Sequence, residues 1–198
     1  PDLVMVYGDV NSTVAAVLVA AKLGIPTAHV EAGLRSFDRS MPEEINRVVV
    51  DRLSDLLLAT SADAVAHLAR EGADPERIHL VGNPMIDTLL RLRPRFETSA
   101  AQRFGLAGGY VVATLHRPGN VDSPDSVRML VKALHALADQ APVVLPLHPR
   151  GRENLIAAGL LDHPALHVSE PLGYLSFMGL IERAACVVTD SGGIQEET

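Results

Sequence analysis

The residues suited to chemistry fall together in a few short segments of this sequence. Asp9 closes LVMVYGD, Glu31 closes TAHVE, and Glu43 and Glu44 follow Pro42. Three carboxylates delivered by successive segments suit a reaction that moves a proton on and off a weakly acidic carbon, provided their surroundings set their pKa values apart. Taken singly, Asp9 also suits a turn or a helix cap, and Glu43 a favourable charge at a helix start. His116 and Arg117 follow YVVATL; an adjacent imidazole and guanidinium suit a departing phosphate, and a structural histidine is the alternative. In TDSGGIQEE the paired glycines Gly192 and Gly193 stand at a helix start, where bare N–H groups and the positive dipole end favour a phosphate, unless Ser191 simply caps that helix. Glu197, one turn on, suits ribose hydroxyls or plain solvation. His148, with Arg150 and Arg152, repeats the His–Arg pattern, while His29 inside an apolar run reads as a core residue.

Other chemistries lack their signatures. The histidines are scattered, and neither HExxH nor a Cys/His cluster occurs, so no metal is expected. GxSxG, the Walker loop and GxGxxG are missing as well, and no cofactor is expected.

The segments that must position these residues alternate between short β-branched runs and helix-length stretches. LVMVY, TAHVE, LLLAT, IHLVG, YVVATL, PVVLPL, ALHVS and CVVTD read as strands. Helices are expected over 13–23, 43–53, 62–71, 85–92, 126–137 and 175–183. This alternation predicts βαβ units and parallel sheets, with ligands held beyond the carboxyl ends of the strands. Every chemistry-bearing segment above lies at such an end. The Pro-, Arg- and Gly-containing stretch 94–108 lacks periodicity and is read as a connector between a domain over 1–93 and another over 109–198.

Composition narrows the partners. With 198 residues, 47% of them hydrophobic, the chain can bury one generous core or two small ones. A formal charge of −7 argues against nucleic acid or an anionic membrane. The single cysteine, Cys186, fits a reducing compartment and, inside AACVV, reads as a buried structural thiol. The apolar stretch 14–25 is too short for a membrane span and reads as a buried helix. No secretory signal is read at the start, so a cytoplasmic protein is expected, and both ends look like cuts through a larger protein.

Taken together, GD at 8–9, HVEAGLRS at 29–36, PEEINR at 42–47, GNPMID at 82–87, TLHRPGNVD at 114–122 and TDSGGIQEE at 189–197 resemble the non-hydrolysing UDP-N-acetylglucosamine 2-epimerases, from end to end of the chain. The resemblance implies two Rossmann-like parallel-sheet domains of glycosyltransferase type B fold, each only partly present, with the active site in the cleft between them. It implies inversion at C2 of UDP-N-acetylglucosamine through elimination and re-addition of UDP. Asp9, Glu31 and Glu43 then look like the acid/base carboxylates and His116 like the residue at the leaving group. Ser191, Gly192, Gly193 and Glu197 look like the UDP site and Phe177 like an aromatic near the uracil, with Arg47 and Arg117 as further substrate-binding candidates. The family's amino-terminal basic residues and the segment after QEE fall outside this chain, which as a fragment is expected to have little activity; a homodimer is implied for the full-length protein. A catalytically silent UDP-sugar-binding or glycosyltransferase-like module is the alternative, and the three carboxylates separate the two, since a simple binder has no use for acids aimed at C2.

Overall fold

The computed structural model describes residues 1–107 and 109–198. The chain divides into two compact units, Pro1–Asp87 and Thr88–Thr198.

The first unit alternates β1 (Val4–Tyr7), α1 (Asn11–Lys22), β2 (Thr27–Ala32), α2 (Pro42–Leu53), β3 (Leu56–Ala59), α3 (Ala62–Arg70) and β4 (Ile78–Leu80), with the division falling inside α4 (Pro84–Leu92). Its strands pair in parallel in the order β1-β2-β3-β4. Local chemistry sets the helix starts. Pro42 occupies the first turn of α2 beside Glu43 and Glu44, where a missing N–H costs nothing and negative charge meets the dipole. Ser61 caps α3 by accepting from the Ala64 N–H at 3.2 Å. Ala32, Leu57, Ala59, Ala64 and Leu68 form one apolar cluster, and Val6, Val17 and Val50 another.

The second unit runs β5 (Val111–Thr114), α5 (Pro118–Val121), α6 (Pro124–Ala138), β6 (Val143–Pro146), α7 (Arg152–Ala157), β7 (Leu166–Ser169), α8 (Tyr174–Glu182), β8 (Cys186–Thr189) and α9 (Gly192–Glu197). All pairings are parallel, in the order β7-β6-β5-β8. The strand period of two feeds two cores: Val111, Ala113 and Leu115 pack on one face with Val131, Leu134 and Val143, whereas Tyr110 and Val112 pack on the other with Val144, Met178 and Leu180. Strand order reverses at β5, so the chain leaves β5 toward β6 on one side and returns to β8 on the other, which opens a crevice at the carboxyl ends of β5 and β8.

The stretch read as a connector holds 3-10 turns at Arg93–Arg95 and Ala100–Phe104, and Ala100 and Ala101 are buried in the second of those cores. It lies so close to α8 that a Cβ on Gly179 would come within 2.4 Å of the Glu97 carbonyl oxygen. Gly108, the last residue of that stretch, is outside the described residues.

Two expectations are corrected. Cys186 is exposed, because β8 ends the sheet order and is paired on one side only. The helix α1 buries one face, through Thr13, Val17 and Ala20, and leaves Leu18, Val19 and Leu23 exposed. Among the described residues no helix is long and apolar enough to cross a membrane.

Candidate functional site

In the first unit the parallel register pairs Tyr7 with Val30, so the next residues along each strand, Gly8 with Asp9 and Glu31 with Ala32, emerge side by side. Glu31 Oε2 lies 3.5 Å from where a Cβ on Gly8 would stand. The first two turns of α2 fix the Asp9 loop. Arg47 Nη2 donates to Asp9 Oδ2 at 2.5 Å, and Asn46 Nδ2 donates to the Asp9 carbonyl at 2.7 Å. The other arm of Arg47 reaches Glu44 Oε2 at 3.0 Å. Glu44 is buried and also accepts from the backbone N–H groups of Ser36 and Phe37, at 2.9 and 3.0 Å. Burial pushes its carboxyl up, but those N–H groups and Arg47 outweigh burial and hold it below the usual range. Glu43 is exposed in the first turn of α2, the neighbour of an inward-facing acid.

Beneath these loops lies a buried charged chain. His29, fully buried, has Nδ1 2.6 Å from Asp51 Oδ1 and Nε2 3.0 Å from the Gly8 carbonyl. Arg35 bonds both Asp51 and Glu71, at 2.8 and 2.6 Å. Burial pulls its guanidinium down, yet the two carboxylates outweigh that and hold it above its ordinary value. His29 is therefore a core residue with polar work to do. Asp51 carries no sequence motif; the one available signal was its spacing of seven from Glu44, which puts two buried acids on one helical face.

In the second unit the crevice at the switch point is organised by another residue that motif reading passed over. Asp190, directly after β8, accepts from the backbone N–H groups of His116 and Arg117 at 3.0 and 2.8 Å and from Asn120 Nδ2 at 3.0 Å. His116 Nδ1 stands 2.8 Å from Asp190 Oδ1. Burial raises the Asp190 carboxyl, but these donors outweigh it and hold it below its ordinary value. An acceptor-only carboxylate places hydrogen on His116 Nδ1 and leaves Nε2 for another partner. Thr114 and Thr189 are joined through their hydroxyls at 2.7 Å, and Thr189 Oγ1 accepts from the Ser191 N–H at 3.0 Å. The β5 and β8 ends are thus laced together.

A pocket of about 330 Å³ opens there, lined by Thr114, Leu115, His116, Pro146, His148, Pro171, Leu172, Phe177, Ser191 and Ile194. His116, Phe177 and Ser191, which sequence reading put at one ligand, share this pocket. His148, read as a weaker echo of His116, joins them with its ring 5.7 Å away. Arg117 points elsewhere, its Nε donating to the Asp190 carbonyl at 2.7 Å. Gly192 and Gly193 open α9, and the Ser191 side chain makes no capping bond. Glu197 closes α9 and accepts from Tyr174 Oη at 2.8 Å; burial first, and this carboxylate second, push the phenol up to about 12. Among the described residues no group of three or more His, Cys, Asp and Glu side chains is disposed to hold a metal.

The family model described as UDP-N-acetylglucosamine 2-epimerase matches residues 1–198. The chain belongs to the UDP-N-acetylglucosamine 2-epimerase family. It is 45% identical to the UDP-2,3-diacetamido-2,3-dideoxy-D-glucuronate 2-epimerase of Pseudomonas aeruginosa, over 100% of this chain and 55% of the relative. It is 40% identical to the UDP-N-acetylglucosamine 2-epimerase of Methanocaldococcus jannaschii, over 100% of this chain and 57% of the relative. The crystal structure of the M. jannaschii enzyme in complex with UDP-GlcNAc and UDP has a TM-score of 0.84 at 39% identity, covering 100% of this chain and 57% of that one. The S. aureus MnaA–UDP co-structure has a TM-score of 0.88 at 34% identity, covering 100% and 54%. The fold is therefore the two-sheet α/β fold of this family, and the chain spans about half the length of the curated relatives it matches.

Proposed function

We propose that the full-length protein inverts carbon 2 of a UDP-linked 2-acetamido sugar, with UDP-N-acetylglucosamine as the substrate and UDP-N-acetylmannosamine as the product. The supporting observation is the side-by-side emergence of Asp9 and Glu31 from β1 and β2 in a family named for this reaction. Carbon 2 has no adjacent carbonyl to acidify its hydrogen. The C2–H pair can instead form a C1–C2 double bond as the C1–oxygen bond breaks and UDP departs with its electrons, leaving a bound glycal. Protonation of C2 on the opposite face, with return of UDP to C1, inverts the centre and consumes nothing.

Asp9, Glu31 and Glu43 are assigned to the proton transfers. The pocket of His116, Phe177 and Ser191, with Gly192, Gly193 and Glu197 beside it, is assigned to UDP, and His116 Nε2 to the departing diphosphate. Arg47 is assigned to holding Asp9, and Arg117 to the loop that carries His116. No metal or organic cofactor has a role in this scheme. We place the protein in the cytoplasm as a homodimer, on its acidic charge, its single thiol and its family membership.

A second reading is favoured by the 45% identity to the P. aeruginosa enzyme, whose named substrate is a diacetamido uronate. One experiment tests both. The full-length protein is incubated in deuterium oxide with each UDP-sugar, and the epimer is expected to carry deuterium at C2. Epimer without solvent deuterium, or stoichiometric UDP with free N-acetylmannosamine, would reject the elimination and re-addition route.

A further inference from the structure

His29 and Gly33 stand two residues to either side of Glu31, and a single carboxylate holds both. Asp51 Oδ1 lies 2.6 Å from His29 Nδ1, and Asp51 Oδ2 accepts the Gly33 N–H at 3.0 Å. Between these anchors the backbone is abnormal. Glu31 has φ of 72°, the left-handed region that glycine favours and that a side chain resists, and the ladder from β2 to β3 slips between Val30 and Ala32. Such a conformation persists only where its surroundings over-determine it. The surroundings here are rigid. Gly33, itself at φ of 83°, is pressed so near α3 that a Cβ would come within 2.4 Å of the Ala64 carbonyl oxygen. Asp51 is buried, and its second oxygen is also tied to Arg35 at 2.8 Å.

The same carboxylate reaches the other catalytic strand end. His29 Nε2 lies 3.0 Å from the carbonyl of Gly8, the residue before Asp9. Through His29 the buried acid therefore bears on the backbone at Asp9. Through His29 and Gly33 together it bears on the backbone at Glu31.

We infer that Asp51 is a positioning residue that clamps the β2 strand on both sides of Glu31, holding that residue in its left-handed twist and thereby setting where the Glu31 and Asp9 carboxylates stand. The inference rests on the reading of Asp9 and Glu31 as proton-transfer groups. Asp51 touches no reacting atom in that reading, so it acts on the proton-transfer step and not on UDP binding.

The test uses the full-length protein and four variants: Asp51→Asn, Glu31→Gln, Glu31→Gly, and Asp51→Asn combined with Glu31→Gly. Asp51→Asn keeps the volume but turns one acceptor into a donor facing a donor. It is expected to lower kcat by up to about 100-fold, the effect of displacing a reacting group by about an ångström, with KM and UDP affinity little changed. Full kcat in folded Asp51→Asn, while Glu31→Gln is crippled, overturns the inference. So does a loss confined to KM. If Glu31→Gln itself keeps near-normal turnover, the catalytic reading of Glu31 is what fails.

The clamp has a second readout that needs no turnover. Glycine takes a positive φ freely, so Glu31→Gly is expected to raise the melting temperature of the parent, and that gain is expected to shrink in the Asp51→Asn background, where the strand can relax. An equal change in both backgrounds overturns the clamp. His29→Asn is the gentler companion, losing the reach to Gly8 while leaving Asp51 with Gly33 and Arg35. A folded His29→Asn protein is expected to show a smaller kcat loss in the same direction, and full activity in it also counts against the inference.

Discussion

His116 and Asp190, seventy-four residues apart, are joined twice: the backbone N–H of His116 donates to the Asp190 carboxylate, and His116 Nδ1 lies 2.8 Å from Asp190 Oδ1. One carboxylate thereby fixes both the path of the chain after β5 and the orientation of the imidazole. Asp190→Ala is expected to destabilise the protein by about 1–3 kcal/mol, since several donors lose their acceptor. Denaturant unfolding of the full-length variant measures this. UDP affinity should fall with it, as His116 loses its anchor.

The pocket proposed for UDP gives a second expectation. His116→Ala should weaken UDP binding and slow elimination together. Ser191→Ala should mainly weaken binding, by about 1 kcal/mol for one neutral hydrogen bond. Calorimetric titration of UDP into both variants separates them. Parent-like affinity in His116→Ala would detach the imidazole from the diphosphate.

Neutralising the proposed proton carriers should be far more costly to rate than to binding. Asp9→Asn, Glu31→Gln and Glu43→Gln are each expected to cut turnover of the full-length protein by about two to four orders of magnitude. Glu43 is the most informative of the three because the structure leaves it exposed while Glu44 points inward. Near-normal turnover in Glu43→Gln would remove that residue from the catalytic set.

Acid should expose the work of Glu44 and Asp190. Both carboxyls are held below their ordinary values of 4.5 and 3.8 in the folded state. Each therefore adds stability that is fully present above its unfolded pKa and is lost as pH falls through the lower folded one. Unfolding free energy should be level with respect to these two groups above about pH 5 and decline below it. Glu44→Gln should flatten part of that decline. At neutral pH the same variant is expected to cost about 1.5–3 kcal/mol, the worth of hydrogen bonds to a charged group. An unchanged acid limb in Glu44→Gln would assign the decline to other carboxylates.

Strands were the most legible feature of this sequence, because β-branched runs such as YVVAT and PVVLP leave little doubt about period or burial. All eight expected strands and the six long helices are present, with ends shifted by a residue or two. The short helices α5 and α7 were not anticipated, since four to six residues starting in Pro-Gly or Arg-Glu carry too little periodicity. Site reading reached residues with distinctive chemistry at a strand end, such as His116, which lines a pocket with Phe177 and Ser191, and Asp9, which Arg47 holds. It missed Asp51 and Asp190, whose carboxylates bond residues distant in sequence. Their partners lie 18 to 22 and about 70 residues away, and no local spacing encodes that. Cys186 and α1 were misjudged for a related reason: apolar neighbours reveal preference for burial, whereas position in the sheet decides whether burial is available.

The return of β8 to the flank of β5 also bears on the order in which the second unit acquires its structure. In β7-β6-β5-β8 the first three strands pair with neighbours in sequence, but the final pairing joins Thr114 to Thr189 across 75 residues. Closing so long a loop carries more chain entropy than the parallel crossovers that pair Val111 with Val143 and Val143 with Leu166, so the β5–β8 contact should form late. The pocket proposed for UDP straddles that contact, with His116 on one side and Ser191 on the other. A refolding chain would then gain most of its helical signal before it gains any capacity to quench or bind a nucleotide probe, and ribosome-bound chains would acquire that capacity only after residue 191 has cleared the exit tunnel.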